Sequence, residues 1–161
     1  DRPFLYEKLT GMEFLKFISD LYHVDPALMP RRAQELLMQF ALWEWADEII
    51  EAYSHGMKQR LIIAAALLHD PGVLVIDEPM VGLDPAAVRM VKDILKALAA
   101  QSVTIFVSTH TLSIAEDLCD RIGVIHKGML LAQGTVAELN TAARTGEARL
   151  EEVILTLLKE A

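Results

Sequence analysis

An apolar, largely β-branched run, Val73-Leu74-Val75-Ile76, stops abruptly on two adjacent acids, Asp77 and Glu78, followed by Pro79. Set off by the breakers Asp70-Pro71-Gly72, it predicts a short strand over Val73–Asp77. Its hydrophobicity is continuous rather than alternating, which predicts burial on both faces, as in a parallel sheet. A second strand is predicted over Val103–Val107, and a helix from Pro85 to about Ala100 lies between the two. Asp84 is placed to cap that helix and Pro85 to occupy its first position. This order implies an α/β sheet with crossover connections, whose working residues gather beyond the C-terminal ends of the strands.

Ahead of the first strand the pattern is helical. Thr10 and Glu13 make a capping box for a first helix, whose Phe14, Leu15, Phe17, Ile18, Leu21 and Tyr22 form one broad apolar face. A second helix is predicted from about Arg31 to Phe40 and a third from about Met57 to His69. Between them, Leu42–Ala52 reads as a shorter helical stretch whose Trp43, Trp45, Ile49 and Ile50 are expected to pack in a small core. Beyond the second strand come a helix over Thr111–Cys119, a hairpin of Ile122–His126 and Met129–Gln133 around Lys127-Gly128, and a final helix from Leu150 to about Lys159. We expect residues 1–70 to form a helical domain and residues 71–161 the sheet-bearing one.

Composition narrows the function classes. The 161 residues carry a net charge of −8, which would repel a phosphate backbone and disfavours a nucleic-acid partner. Cys119 is the sole cysteine, so no internal disulfide is possible and a reducing compartment is expected. The longest apolar runs, such as Leu61–Leu68, fall far short of the roughly 20 residues that span a bilayer, which predicts a soluble chain whose membrane connection runs through a partner.

Three polar clusters carry chemistry. Asp77 and Glu78 are neighbours at a strand end, so their carboxylates point to opposite faces and suit different tasks. One acid near a phosphate-bound magnesium and one positioning an attacking water is what phosphoryl transfer requires. The second strand likewise ends in Ser108-Thr109-His110. Tyr53-Ser54-His55-Gly56 opens the third helix, where Ser54 caps, Gly56 admits close backbone approach, and the helix N-terminus offers a seat for a phosphate. Taken singly, each has an ordinary structural reading as a solvated loop or an N-cap.

In their order these pieces resemble the motifs of ATP-binding-cassette ATPases. Tyr53-Ser54-His55-Gly56-Met57-Lys58-Gln59-Arg60-Leu61 resembles the signature motif, Val73–Pro79 the Walker B strand, Gly82-Leu83-Asp84-Pro85 the D-loop, and Ser108-Thr109-His110 the switch histidine. Asp1-Arg2-Pro3-Phe4-Leu5-Tyr6 is similar to the family's Q-loop. The resemblance implies a partial P-loop NTPase (RecA-like) core with an α-helical signature subdomain. It implies ATP as substrate with Mg2+, a head-to-tail pair of cassettes, and coupling to a transmembrane permease from the cytoplasmic face of the membrane. By the same resemblance Asp77 would support magnesium, Glu78 would be the catalytic base, and His110 would contact the γ-phosphate. Asp84 would communicate across the pair, while Ser54, His55 and Gly56 would close on nucleotide held by the opposite cassette.

The sequence departs from the family pattern in three places. His55 and Met57 replace a glycine and a glutamine of the signature, a variant similar to bacterial exporter-type cassettes. Asp1 stands where the Q-loop has glutamine, and is expected to hold magnesium or water. No Gly-x-x-x-x-Gly-Lys-Ser/Thr occurs; the similarly spaced Gly123 and Gly128 fall on a strand and a turn. The chain is therefore expected to be a C-terminal fragment of a longer ATPase, inactive by itself. A soluble non-transport cassette ATPase and a non-catalytic assembly module are the alternatives.

Overall fold

The computed structural model describes residues 5–143 and 149–160 of an α/β chain. The chain forms two compact units, residues 1–108 and 109–161.

The first unit begins with α1 (Gly11–Leu21), opened by the predicted capping box: Thr10 Oγ1 accepts the Glu13 N–H, and the Glu13 carboxylate accepts the Thr10 N–H. α2 (Met29–Gln39) starts two residues earlier than predicted, because Pro30 suits a helix's first turn. α3 (His55–Leu67) is apolar around most of its circumference beyond Arg60, and Leu61, Ile63, Ala64, Ala65 and Leu67 are buried. It packs against α1 and α2, and Leu15, Leu37, Phe40, Leu42, Ile50 and Leu61 lie wholly inside.

The segment between α2 and α3 differs from expectation. It forms two single 3₁₀ turns, Trp43–Trp45 and Ile50–Ala52, rather than one helix. Of the four residues expected inside, only Ile50 is buried; Trp43 and Trp45 remain 39% and 43% exposed, and Ile49 is exposed too. Short turns with eclipsed side chains present no continuous apolar face, so the rings stay at the surface.

Gly11 is the tightest point of this helical region. A Cβ there would collide with the Tyr53 hydroxyl. Gly11→Ala is therefore expected to lower stability by about 1–3 kcal/mol through overpacking, although alanine is the better helix former. An unchanged or raised melting temperature would show that Tyr53 moves aside freely.

After α3, Asp70 takes a left-handed φ of 57° and the chain enters β1 (Val73–Asp77). α4 (Pro85–Ala100) follows and leads to β2 (Thr104–Ser108), parallel to β1 with Val73 opposite Thr104 and Asp77 opposite Ser108. β2 begins one residue later than predicted, since the Val103 N–H still bonds to Leu98 at the end of α4, while Thr104 bonds to Gly72. Burial on both faces is not what is found. Leu74 is buried, but Val73 and Val75 are 62% and 71% exposed, and Phe106 is 62% exposed. Alternating side chains place Leu74 and Val75 on opposite faces, and no described residue of this unit covers the second one.

The second unit holds α5 (Leu112–Leu118), the antiparallel pair β3 (Ile122–His126) and β4 (Met129–Gly134), α6 (Val136–Ala142) and α7 (Leu150–Glu160). Lys127 and Gly128 have φ of 47° and 79°, as a tight hairpin turn of this hand requires. α6 was not foreseen, although Thr135 and Glu138 form a second complete capping box. Ala115, Leu139, Ala143, Leu150 and Val153 make a separate small core, and the Leu150 N–H donates to Glu116 Oε1 at 2.6 Å.

Candidate functional site

The start of α3 is held from three sides. Tyr53 is buried, its hydroxyl donates to the Trp45 carbonyl, and burial with nearby Glu48 and Asp47 pushes its pKa up to about 12. Ser54 has the extended backbone of an N-cap, and its Oγ accepts the Met57 N–H at 3.2 Å. Arg60 donates from Nη1 to the Phe40 carbonyl at 2.6 Å and from Nε to the Gly56 carbonyl at 3.3 Å, joining α3 to the end of α2. Lys58 pairs with Glu7 at 2.6 Å, and that hydrogen bond and charge hold the Glu7 carboxyl below its ordinary pKa. The first turn of α3 thus presents Ser54, His55 and Gly56 at a braced helix N-terminus, where the helix dipole favours an anion.

The strand end is the second part. Asp77 and Ser108 face each other across the β1–β2 ladder, and Ser108 Oγ donates to the Asp77 carboxylate. Glu78 follows with a left-handed φ of 44°, uncommon for a residue with a side chain. Its N–H donates to the Ser108 carbonyl at 2.9 Å, and its own carbonyl accepts the Val81 N–H at 3.2 Å. Such strain persists only where the surroundings over-determine it, and it concentrates at functional sites. Gly82, with φ 75°, turns the chain toward Asp84, whose Oδ1 caps α4 by accepting the Ala87 N–H at 2.9 Å.

These two parts meet within the first unit. A Cβ on Gly56 would lie 3.0 Å from the Gly82 carbonyl oxygen, and the His55 ring occupies the space beside Gly82 that a side chain would need. Gln59 Nε2 donates to the Glu78 carbonyl at 3.4 Å. The sequence placed Gln59 within the signature stretch but gave it no role. The available signal was its position one helical turn after His55, on the same face of α3. His110 belongs to the second unit, exposed at the bend before α5, where the Thr111 N–H bonds to Thr109 Oγ1 at 3.1 Å. Asp1 lies outside the described residues.

Among the described residues no group of three or more His, Cys, Asp or Glu side chains could enclose a metal ion. Asp77 offers a single carboxylate beside a hydroxyl. That donor set suits a magnesium ion bringing most of its ligands as substrate phosphates and water, rather than an all-protein cage.

A family model described as ABC transporter matches residues 3–81. An uncharacterized ABC transporter ATP-binding protein of Bacillus subtilis, YthP, is 40% identical over 139 residues, covering 86% of this chain and 59% of that protein. A fluoroquinolones export ATP-binding protein of Mycobacterium tuberculosis is 38% identical, covering 92% of this chain and 48% of its own length. A daunorubicin/doxorubicin resistance ATP-binding protein of Streptomyces peucetius, DrrA, is 39% identical, with 89% and 44% covered. A solved structure described as the ATP binding subunit of an ABC transporter superposes with a TM-score of 0.91 at 34% identity, covering 98% of this chain and 66% of that one. The chain thus spans about half the length of the curated relatives it matches.

Proposed function

This chain belongs to the ABC transporter family, and we propose that it is part of an ATP-binding subunit that hydrolyses ATP to drive a separate transmembrane permease. The observation that carries this reading is the strand end: Asp77 beside Ser108, then Glu78 held at φ 44°, packed against the N-terminal turn of α3. In this reading residues 1–70 are the helical subdomain, and residues 71–161 the C-terminal part of the RecA-like core with its hairpin and tail helix.

Glu78 orients the attacking water and accepts its proton, as a carboxylate at hydrogen-bond reach can. Magnesium, carried in with ATP, neutralises phosphate charge, and Asp77 is the residue that would support it. His110 contacts the γ-phosphate, and Asp1 holds magnesium or water at the Q-loop position. Ser54, His55 and Gly56 close on the γ-phosphate of nucleotide held mainly by a second cassette, while Asp84 lies toward that partner. The assembly works at the cytoplasmic face of the membrane, bound to its permease; no helix among the described residues is long and apolar enough to cross a bilayer.

The 161 residues contain no phosphate-loop sequence, so the polypeptide by itself hydrolyses ATP negligibly. Phosphate release by the full-length gene product, with and without a magnesium chelator, tests the reading. Magnesium-dependent release is expected. A full-length protein that binds its permease but releases no phosphate would overturn it.

A further inference from the structure

We propose that Gln59 is a positioning residue that ties the backbone of Glu78 to α3. The inference rests on the reading of Glu78 as the catalytic base, and it gives a role to a residue of the signature stretch that the family resemblance leaves without one.

His55 and Gln59 are four residues apart on α3 and so share one face. That face lies along the turn after β1. His55 sits against Gly82, Gly56 approaches the Gly82 carbonyl, and Gln59 Nε2 reaches the Glu78 carbonyl at 3.4 Å. Glu78 has unusual need of such support. It is left-handed at φ 44° and precedes Pro79, whose ring restricts the conformations open to the residue before it.

Hydrogen bonds to β2, to the following turn and to α3 hold the backbone of Glu78. Its N–H goes to the Ser108 carbonyl at 2.9 Å, and its carbonyl, with two lone pairs, accepts from Val81 at 3.2 Å and from Gln59. The first two come from β2 and from the turn itself. The Gln59 amide joins Glu78 to the helix whose N-terminus bears Ser54 and Gly56. A displacement of α3 is therefore transmitted to the peptide that aims the Glu78 carboxylate. Catalytic geometry is sensitive to shifts of this size: a misplacement of about 1 Å can cost on the order of 100-fold in rate.

The test uses the full-length gene product, with Glu78→Gln as the reference. Gln59→Leu keeps the bulk but removes the donor. It is expected to lower kcat by about 5–20-fold while KM for ATP stays within about twofold and the melting temperature is unchanged, the pattern of an interaction used only in the transition state. Gln59→Glu turns an oxygen toward the carbonyl at neutral pH and regains a donor when protonated. Its kcat relative to wild type should therefore rise as the pH is lowered, a response that a merely structural glutamine would not give. In the Glu78→Gln background, Gln59→Leu should add no further loss.

If Glu78→Gln abolishes turnover but Gln59→Leu leaves kcat within about twofold of wild type, the positioning role is wrong and the base role stands. If Gln59→Leu lowers the melting temperature and raises KM along with its loss of kcat, Gln59 is structural only. Full turnover in Glu78→Gln would remove both readings together.

Discussion

Replacing Glu78 with glutamine in the full-length protein is expected to lower ATP turnover by about 100- to 1,000-fold while leaving affinity for magnesium-ATP nearly unchanged. The amide keeps the length and shape of the side chain, so the backbone bonds to Ser108 and Val81 survive. What it loses is the ability to accept a proton from water, and a positioned general base contributes on the order of 10²–10⁴ in rate. Asp77 is not a substitute. Its carboxylate already accepts a hydrogen bond from Ser108 Oγ. Single-turnover phosphate release separates the two effects: nucleotide should bind as in wild type and stay uncleaved. Turnover at the wild-type rate would exclude Glu78 from the chemistry.

Phe40→Ala should have the largest effect on stability, about 3–5 kcal/mol. Phe40 is the largest of the wholly buried side chains, at the end of α2 where α1, α2 and α3 share one core. Truncation would leave a cavity at a site that is wholly buried. A loss of this size is a large fraction of the roughly 5–15 kcal/mol that holds a domain folded. The consequence reaches the site, because the Phe40 carbonyl receives Arg60, the side chain that braces the first turn of α3. Trp43 and Trp45 lie just beyond Phe40 and report on this region by fluorescence. A lower urea midpoint with an unchanged slope is the expected result. A shift worth less than about 1 kcal/mol would mean that the core closes over the gap.

What was legible in the sequence was what short-range chemistry decides. The Thr10–Glu13 capping box, the Asp84-Pro85 start of α4 and the Lys127-Gly128 turn each occur where the residues place them. α6 escaped although Thr135 and Glu138 carry the same capping signal, because its seven residues offer too short an apolar pattern to notice. Burial was the weaker reading. The run from Val73 to Ile76 and the rings of Trp43 and Trp45 are apolar, but what covers a face is decided by distant parts of a chain. The contact of Gln59 with Glu78 is of the same kind: it spans 19 positions, and no local pattern announces it.

The central claim is that the two polar clusters of this chain, though packed side by side around Gly82, serve different sites of a cassette pair. It is tested most directly by mixing two full-length variants, Ser54→Arg and Glu78→Gln, each expected to be inactive alone. In a head-to-tail pair every site joins Ser54 of one chain to Glu78 of the other. A mixed pair then has one site with both lesions and one with none, so an equal mixture should recover about one quarter of wild-type turnover. If Ser54 and Glu78 worked together within a single chain, the mixture would stay as inactive as its components, and that result would contradict the account.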